Sequence, residues 1–432
     1  GEKLRRYLSQ KATIRRLRDF GDAPFFTAIA YPSIIVLVKQ KPTDNTIQAL
    51  SWEFGTPITD FPTVAATDSF ALAQSKLTAE GWRLEPPAVL RLLERLRRSG
   101  TPLGDYIKGR FYYGIKTGLN EAFVVDRLTR DRLIADHPSS AELLKPFLRG
   151  RDVKRWAVEF AEQYLIKIES SENKEHPWTG QPHQAAETMF ARTYPAIHAW
   201  FEGQRQQLIK RWDQGKYFWE LRACAYWEEF EQLKILYPDI YEHQSFAWDD
   251  VGFYAVNTCY FIPTREKWMI ALFNSTTVEW FYSLVSNKVR GGYLRAFSDY
   301  MKQIPIPEAN TEQRGVLELL VNYILFLKQN PEPPVNPHVP NEHVITLLEE
   351  ALNGCVFELY FPEAVQAQQV NVINLVDREL LPIAGETEAS IIREIIEAGY
   401  QALREPRSDL RNRLIKQKIV VDEIKLITEG LA

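Results

Sequence analysis

The spacing of hydrophobic positions predicts that the chain begins with a helix followed by two strands. Leu4, Tyr7 and Leu8 mark one face of the helix, and residues 14–20 alternate between apolar and polar side chains as a half-buried strand does. Residues 33–39, Ser-Ile-Ile-Val-Leu-Val-Lys, form a continuous apolar run, which is typical of a strand buried on both faces. Because so short a segment cannot supply the covering sheet, we expect it to be the edge of a larger domain.

The middle of the chain is less regular and favours strands. Residues 42–84 contain many Thr, Pro and Asp residues and predict a linker with one or two short strands. A compact basic helix is predicted at 88–98, where Ser99-Gly100 ends it. Beyond residue 101, apolar runs divided by turn residues predict a mostly β region. Its main predicted elements are strands at 163–168 and 234–237, a hairpin at 246–262 around Asp249–Gly252, and helices at 194–212 and 268–285.

The last third of the chain is predicted to be helical. Val316, Leu319 and Leu320 begin a helical repeat within residues 311–329. A proline-rich break follows, and the predicted helices after it lie at 341–357, 386–403 and 408–428. The predicted fold class is therefore α+β, with a mostly β centre and a helical C-terminal region.

Composition narrows the class of protein without giving a function. Of 432 residues, 45% are hydrophobic and 25% are charged, as in a folded globular protein. The three cysteines are widely separated, as in a reducing cytosol, and no apolar run is long enough to span a membrane, so we expect a cytoplasmic protein. The net charge of −4 is uneven, since residues 306–432 carry 11 basic and 20 acidic side chains. An acidic total does not exclude a locally basic face.

The sequence lacks the motifs of DNA adenine methylation and of a metal site. Adenine methylation in duplex DNA needs a glycine-rich turn for the methyl donor and an Asn/Asp-Pro-Pro-aromatic loop for the flipped base, and neither occurs. No residues show the spacing of a metal site, so we assign no metal ligand and no catalytic residue. Asp152, Glu172 and Lys174 loosely fit a magnesium-dependent nuclease, which stays open as an alternative.

Three segments combine basic side chains with glycines and aromatic residues, a combination that suits contact with nucleic acid. They are residues 114–120, residues 147–156, in which Asp152 could orient an arginine, and residues 288–295. The candidate DNA contacts are Lys116, Thr117, Asn120, Arg149, Arg151, Lys154, Arg155, Arg290, Gly291, Gly292, Tyr293 and Arg295. Each segment could also be an ordinary turn, and the acidic helical third could instead be a protein-interaction module.

These segments resemble the TaqI-like C-terminal specificity domain, the target-recognition part of type IIG restriction-modification enzymes and related phage-defence methyltransferases. The resemblance covers roughly residues 100–330 and rests on ordered blocks at 109–126, 144–152, 290–295 and 303–307. It implies recognition of double-stranded DNA by an adenine-specific DNA methyltransferase. The first two segments would contact phosphates, while Asn120 and the third segment would face a groove.

The resemblance also implies how the parent protein is divided. Residues 1–45 resemble the end of a Rossmann-like methyltransferase domain, and residues 46–100 are a linker with the basic helix. The target-recognition domain is expected at 101–310, and a helical spacer and C-terminal region at 311–432. The methyltransferase domain of the same parent would be a partner and would use S-adenosylmethionine, so we expect no cofactor in this chain itself.

Overall fold

The computed structural model describes residues 1–21, 23, 31–53, 55–79, 81–286 and 293–431, and these fall into two units. The first unit contains residues 1–100 together with Tyr293 and Leu294, and the second contains Thr101–Ser286 together with the residues from Arg295 onward. The architecture mixes helices and strands, with 48% of residues in helix and 17% in strand. None of the described helices combines the length and apolar composition that crossing a bilayer requires.

A four-stranded sheet forms the centre of the first unit. Its elements in chain order are α1 (Glu2–Lys11), β1 (Thr13–Asp19), β2 (Ser33–Val38), β3 (Thr46–Ser51), α2 (Phe61–Thr67), β4 (Phe70–Ala73) and α3 (Pro87–Arg98). The spatial order is β2-β1-β3-β4, in which β1 and β3 run parallel and the other pairs run antiparallel. The predicted helix and two strands before residue 41 and the predicted helix at 88–98 are confirmed.

The prediction that β2 is buried on both faces is wrong. All six residues of Ser33–Val38 are exposed, including Ile34 at 50% and Val36 at 46%. The reason is position, because β2 is an edge strand that pairs only with β1 among the described strands. A continuous apolar run shows that a strand favours burial, but it does not show whether a covering layer is present.

Short strands and helices alternate in the first part of the second unit, and the first of these strands begins at Gly100 of the first unit. In chain order they are β5 (Gly100–Pro102), α4 (Leu103–Tyr106), β6 (Tyr112–Tyr113), α5 (Asn120–Phe123), β7 (Val124–Asp126), α6 (Arg127–Asp136), α7 (Ser140–Leu143), β8 (Leu144–Leu148), β9 (Gln163–Ile166), α8 (His183–Thr193), α9 (Pro195–Glu202), α10 (Arg205–Lys210), β10 (Lys234–Pro238), β11 (Ile240–Tyr241), β12 (Ala247–Asp249), β13 (Tyr254–Ala255) and β14 (Cys259–Pro263). Two four-stranded sheets result, in the orders β12-β10-β14-β6 and β13-β8-β9-β7.

The remaining elements are mainly helical and belong to the second unit, apart from Leu294 of β15. They are α11 (Trp268–Phe273), α12 (Thr276–Val285), β15 (Leu294–Arg295), α13 (Ser298–Met301), β16 (Pro305–Pro307), α14 (Thr311–Gln329), α15 (Asn341–Tyr360), α16 (Pro362–Ala367), α17 (Ile373–Glu379), α18 (Ala389–Arg404), α19 (Asp409–Val420) and α20 (Asp422–Glu429). The predicted helical C-terminal region is confirmed. The single helices predicted at 268–285 and 408–428 are each divided in two.

Two predictions for residues 101–310 need correction. The region is not mostly β, because its described helices together contain more residues than its described strands. Phe190 and Phe201 belong to helices and share a core with strand residues such as Phe147, so helices and strands together build the core of this region. The predicted hairpin at 246–262 is also wrong, since β12 pairs with β10 whereas β13 pairs with β8 in the other sheet.

Candidate nucleic-acid interface

One short stretch, Tyr254–Cys259, contacts the first two candidate segments directly and is linked through Asp239 to the part of the third that lies in the second unit, and we call it the junction segment. It contains β13, a turn at residues 256–258 and the first residue of β14. The side chains of Asn257 and Thr258 are exposed in this turn. On the inner side, the Tyr254 hydroxyl accepts from Lys167 at 2.8 Å and donates to Glu231 at 2.6 Å, which holds β13 in place.

The first candidate segment is joined to the junction segment through its backbone. The amide of Gly114 donates to Cys259 O at 2.8 Å, and the amide of Ile115 donates to Ala255 O at 2.7 Å. A Cβ atom at Gly114 would lie 2.0 Å from Val256 O, so only glycine permits this approach. The first candidate segment and the junction segment are therefore packed backbone to backbone.

The candidate side chains of this first segment have different environments. Lys116 is exposed, whereas Thr117 is only 3% exposed and donates from its hydroxyl to Asn120 Oδ1 at 2.6 Å. Thr117 also accepts from the amide of Leu119, so it organises the turn. A cavity of about 230 Å³ lies beside this segment, lined by Tyr113, Gly114, Ile115, Lys116, Arg222, Ala223, Cys224, Ala225, Tyr226, Trp227 and Phe230.

The second candidate segment follows β8 and meets the other side of the junction segment. Strand β8 runs parallel to β13, with Leu148 opposite Ala255, and the amide of Val256 donates to Leu148 O at 2.9 Å. Asp152 is 5% exposed and accepts from Nε and Nη2 of Arg149 at 3.0 and 2.9 Å. This bond raises the pKa of Arg149 and fixes the direction of its guanidinium. Asp152 therefore orients an arginine, as the sequence suggested.

The three other cations of the second segment differ in how they are held. Arg151 is exposed, and no ion pair to it is present in the described part of the chain. Lys154 lies 3.7 Å from Glu159 and stays about half exposed. Arg155 instead donates to Glu349 at 2.7 Å and to Asn274 O at 2.7 Å, which ties the segment to helix α15. Of these three, Arg151 is the most available to an outside ligand.

The third candidate segment is only partly described. Arg290, Gly291 and Gly292 lie outside the described residues, and Tyr293 is grouped with the first unit, where it is 38% exposed. Arg295 belongs to the second unit, and the next amide, that of Ala296, donates to Asp239 O at 2.9 Å. The amide of Asp239 in turn donates to Thr258 O at 2.9 Å, so Arg295 is connected to the junction segment.

The structure also bears on metal binding and on the nuclease alternative. Among the described residues, the group of carboxylates and histidines close enough to hold an ion is Glu187, His198 and Glu202. Arg205 forms ion pairs with both glutamates and so already places a positive charge against this group. Asp152 is engaged by Arg149 and is not part of that group. Nothing in this arrangement favours a magnesium-dependent nuclease.

Sequence reasoning missed the junction segment, because the apolar run at 253–262 predicts one strand. The available signal was the polar pair Asn257-Thr258 inside this otherwise apolar and aromatic run. Tyr113, which is 46% exposed and stands opposite Tyr260 in the sheet, was also missed. Only the pairing of distant strands brings these residues beside the candidate cations.

Comparison with known proteins confirms the resemblance found in the sequence. Residues 145–306 match the family model of the TaqI-like C-terminal specificity domain, and this range contains the junction segment. The chain is 22% identical over 346 residues to the type II methyltransferase M.BstVI of Geobacillus stearothermophilus, covering 74% of this chain and 58% of the relative. It is 21% identical over 332 residues to the type II methyltransferase M.PaeR7I of Pseudomonas aeruginosa, covering 71% and 53%. The chain thus spans little more than half the length of these relatives.

Two solved structures resemble the chain over most of its length at low identity. The type IIL restriction-modification enzyme MmeI, solved in complex with DNA, aligns with a TM-score of 0.47 and 13% identity, covering 91% of this chain and 46% of that one. The type IIG restriction endonuclease BpuSI aligns with a TM-score of 0.39 and 10% identity, covering 94% and 46%.

Proposed function

We propose that this chain recognises a specific sequence in double-stranded DNA for an adenine-N6 DNA methyltransferase of a restriction-modification system. The observation that carries the proposal is the junction segment, which joins parts of three separately identified basic segments in a region that matches a specificity domain. Methylation in such a protein would be performed by a methyltransferase domain outside this chain. S-adenosylmethionine would bind there, since this sequence has neither a glycine-rich donor turn nor an Asn/Asp-Pro-Pro-aromatic loop.

The proposed DNA contacts fall into two groups according to their chemistry. Lys116, Arg151 and Arg295 would neutralise phosphates, because they offer cations around the junction segment, with Lys116 and Arg151 exposed. Arg149 would be aimed at the DNA by Asp152. Asn257 would read base edges, since an asparagine amide pairs in a bidentate manner with adenine in the major groove. We leave out Thr117 and Arg155, because their polar atoms are used within the protein.

The salt dependence of DNA binding tests this assignment. The full chain is titrated with a fluorescein-labelled duplex of randomised sequence over a range of salt concentrations, and binding is followed by anisotropy. Replacing Lys116, Arg151 and Arg295 by Ala together should lower the log–log salt slope by about 0.9 for each phosphate that is no longer neutralised. The affinity at low salt should fall accordingly.

A matched control uses three exposed cations of the acidic helical region, Lys328, Arg407 and Lys416. Removing them changes the net charge by the same amount as the test variant does. No ion pair to any of these side chains is present in the described part of the chain, so their removal breaks no such contact there. The control variant should keep the wild-type slope. If both variants lose the same salt slope and affinity, net charge alone explains the effect and the assigned contacts are wrong. If the wild-type chain binds no duplex at low salt, the proposed function itself is wrong.

A further inference from the structure

Trp212 is the large hydrophobic side chain most exposed to solvent among the described residues. It is 95% exposed, compared with 81% for Leu128 and lower values for the other exposed large hydrophobic side chains in the described part. A whole indole in water is unfavourable, and tryptophan is enriched where binding energy is concentrated. This residue was not among the candidates chosen from the sequence.

The loop that carries Trp212 is firmly held on both sides. Arg211 is 6% exposed and donates to the backbone carbonyls of Thr117, Phe218 and Glu220. Burial lowers the pKa of Arg211 to about 10, and its guanidinium lies 4.3 Å from the centre of the Phe123 ring. A well-anchored loop that still exposes its tryptophan is preorganised, so little conformational freedom remains to be lost on binding.

The far side of the same loop is fixed by a buried carboxylate. Glu220 is fully buried and accepts from the amides of Ser171 and Lys216 at 3.1 and 2.9 Å, and from Trp178 Nε1 at 2.9 Å. The amide of Gly215 also donates to Glu220 O at 3.2 Å. These bonds define the path of the backbone immediately after Trp212.

The Trp212 loop packs directly against the first candidate DNA segment. Arg211 reaches Thr117 O, as described above. Gly118 has a φ of +70°, and a Cβ atom there would lie 2.9 Å from Asp213 O, so the two backbones touch at a position that requires glycine. Trp212 is therefore presented beside the turn that also presents Lys116.

The surroundings of Trp212 are positively charged. Lys210 and Lys216 are exposed before and after Trp212 in the chain, whereas Arg211 and Glu220 are buried. Asp213 is paired with Arg222 at 3.1 Å, and Arg222 lines the same cavity as Lys116. A cationic surface with one projecting indole complements a polyanion with flat aromatic groups, and this combination is typical of nucleic-acid binding.

We propose that Trp212 stacks on a base of the bound DNA, while Lys116 and Arg222, which line one cavity, hold neighbouring phosphates. The inference rests on the proposed DNA-recognition function and adds a contact that widens the interface beyond the junction segment. Wedging an aromatic or apolar side chain between bases is a known way to unstack and bend a duplex. Trp212 thereby contributes affinity through the base faces, whereas the cations act through the backbone.

The test compares Trp212→Ala and Trp212→Phe with the full wild-type chain, using a labelled duplex of randomised sequence. Trp212→Ala should weaken binding about tenfold, or about 1.4 kcal/mol, and Trp212→Phe should lose only part of this because it can still stack. Leu128→Ala is the matched control, since it removes another highly exposed apolar side chain, on α6, and should bind as the wild type does.

A second measurement follows the indole itself. The chain is labelled with 5-fluorotryptophan, and the ¹⁹F resonance that disappears in Trp212→Phe is assigned to Trp212. That resonance should shift when duplex is added, and the shift should depend on salt concentration in the same way as binding does. Wild-type binding with a stationary Trp212 resonance and an unaffected Trp212→Ala would overturn this inference while leaving the proposed function intact. A resonance that moves with protein concentration instead of with DNA would also overturn it, since the indole would then bind a second copy of the chain.

Discussion

A fully buried ion pair beside the turn that precedes β13 allows a direct test of what holds the junction segment in place. Lys234 on β10 and Asp249 on β12 stand opposite each other in the sheet, with both side chains completely buried and 2.6 Å between Nζ and Oδ2. Asp249 also accepts from the amides of Val251, Gly252 and Phe253 at 2.9 to 3.0 Å. The pair therefore shapes the turn that leads into β13.

The expected magnitudes follow from the cost of burying charge. Burial lowers the pKa of Lys234 although Asp249 raises it, so desolvation of the ammonium outweighs the attraction of its partner. Lys234→Met should still destabilise the protein, by about 3 kcal/mol, because it leaves a buried carboxylate without its cation. We expect the lower end of the usual range of about 3–5 kcal/mol because three backbone amides continue to solvate Asp249.

The double variant Lys234→Met with Asp249→Asn gives the decisive comparison. The Asn side-chain oxygen can still accept from the amides of Val251 and Gly252, while neither buried charge remains. We expect it to recover most of the loss, with a coupling energy of at least about 2 kcal/mol in a double-mutant cycle. Urea titration followed by circular dichroism measures the free energy of unfolding. If the two single losses simply add, Lys234 and Asp249 do not act as a pair, and our account of this turn is wrong.

Three further perturbations separate supporting contacts from DNA contacts. Gly114→Ala should lower both the melting temperature and DNA affinity because its Cβ meets backbone, whereas Gly315→Ala, an open helical position, should stabilise by up to about 1 kcal/mol. Arg155→Gln should lower the melting temperature but leave the salt slope of binding unchanged, since its guanidinium is used within the protein. The hydrogen bond from Arg205 lowers the pKa of Glu187, so Glu187→Gln should reduce stability at neutral pH. The difference in stability between wild type and variant should disappear as the pH falls from 4.5 through the lowered pKa of Glu187. Thermal melts across this pH range measure it.

Local signals explain which elements could be predicted from the sequence. Helix α14 was predicted at 311–329 and lies at Thr311–Gln329, because its apolar spacing is regular and Asn310 with Gln313 forms a capping box at its start. By contrast, the break between α9 and α10 at 203–204 was missed. Residues 246–262 looked like a hairpin because their sequence is locally consistent with one, but β12 and β13 pair with different distant strands.

The same distinction applies to the candidate site. Glycines beside cations indicated the first two segments, since both features lie within a few residues of each other. The roles of individual cations depended on distant partners, as with Arg155 and Glu349, which are 194 positions apart. Trp212 could not be distinguished from the many core aromatic residues by its neighbours in sequence. Its exposure depends on Arg211 and Glu220, whose bonds reach remote parts of the fold.

The junction segment separates support from recognition within a single turn. The described contacts that position residues 254–259 run through backbone amides and carbonyls and through inward-facing groups such as the Tyr254 hydroxyl. The side chains of Asn257 and Thr258 are exposed and form none of those hydrogen bonds, although the Thr258 hydroxyl lies close to Gly150 of the second candidate segment. Exposed substitutions of this kind usually change stability by no more than about 0.5 kcal/mol. For the proposed function, this means that the side chains that would read bases can be exchanged while the backbone of the turn stays in place, as domains that share a fold but recognise different DNA targets require.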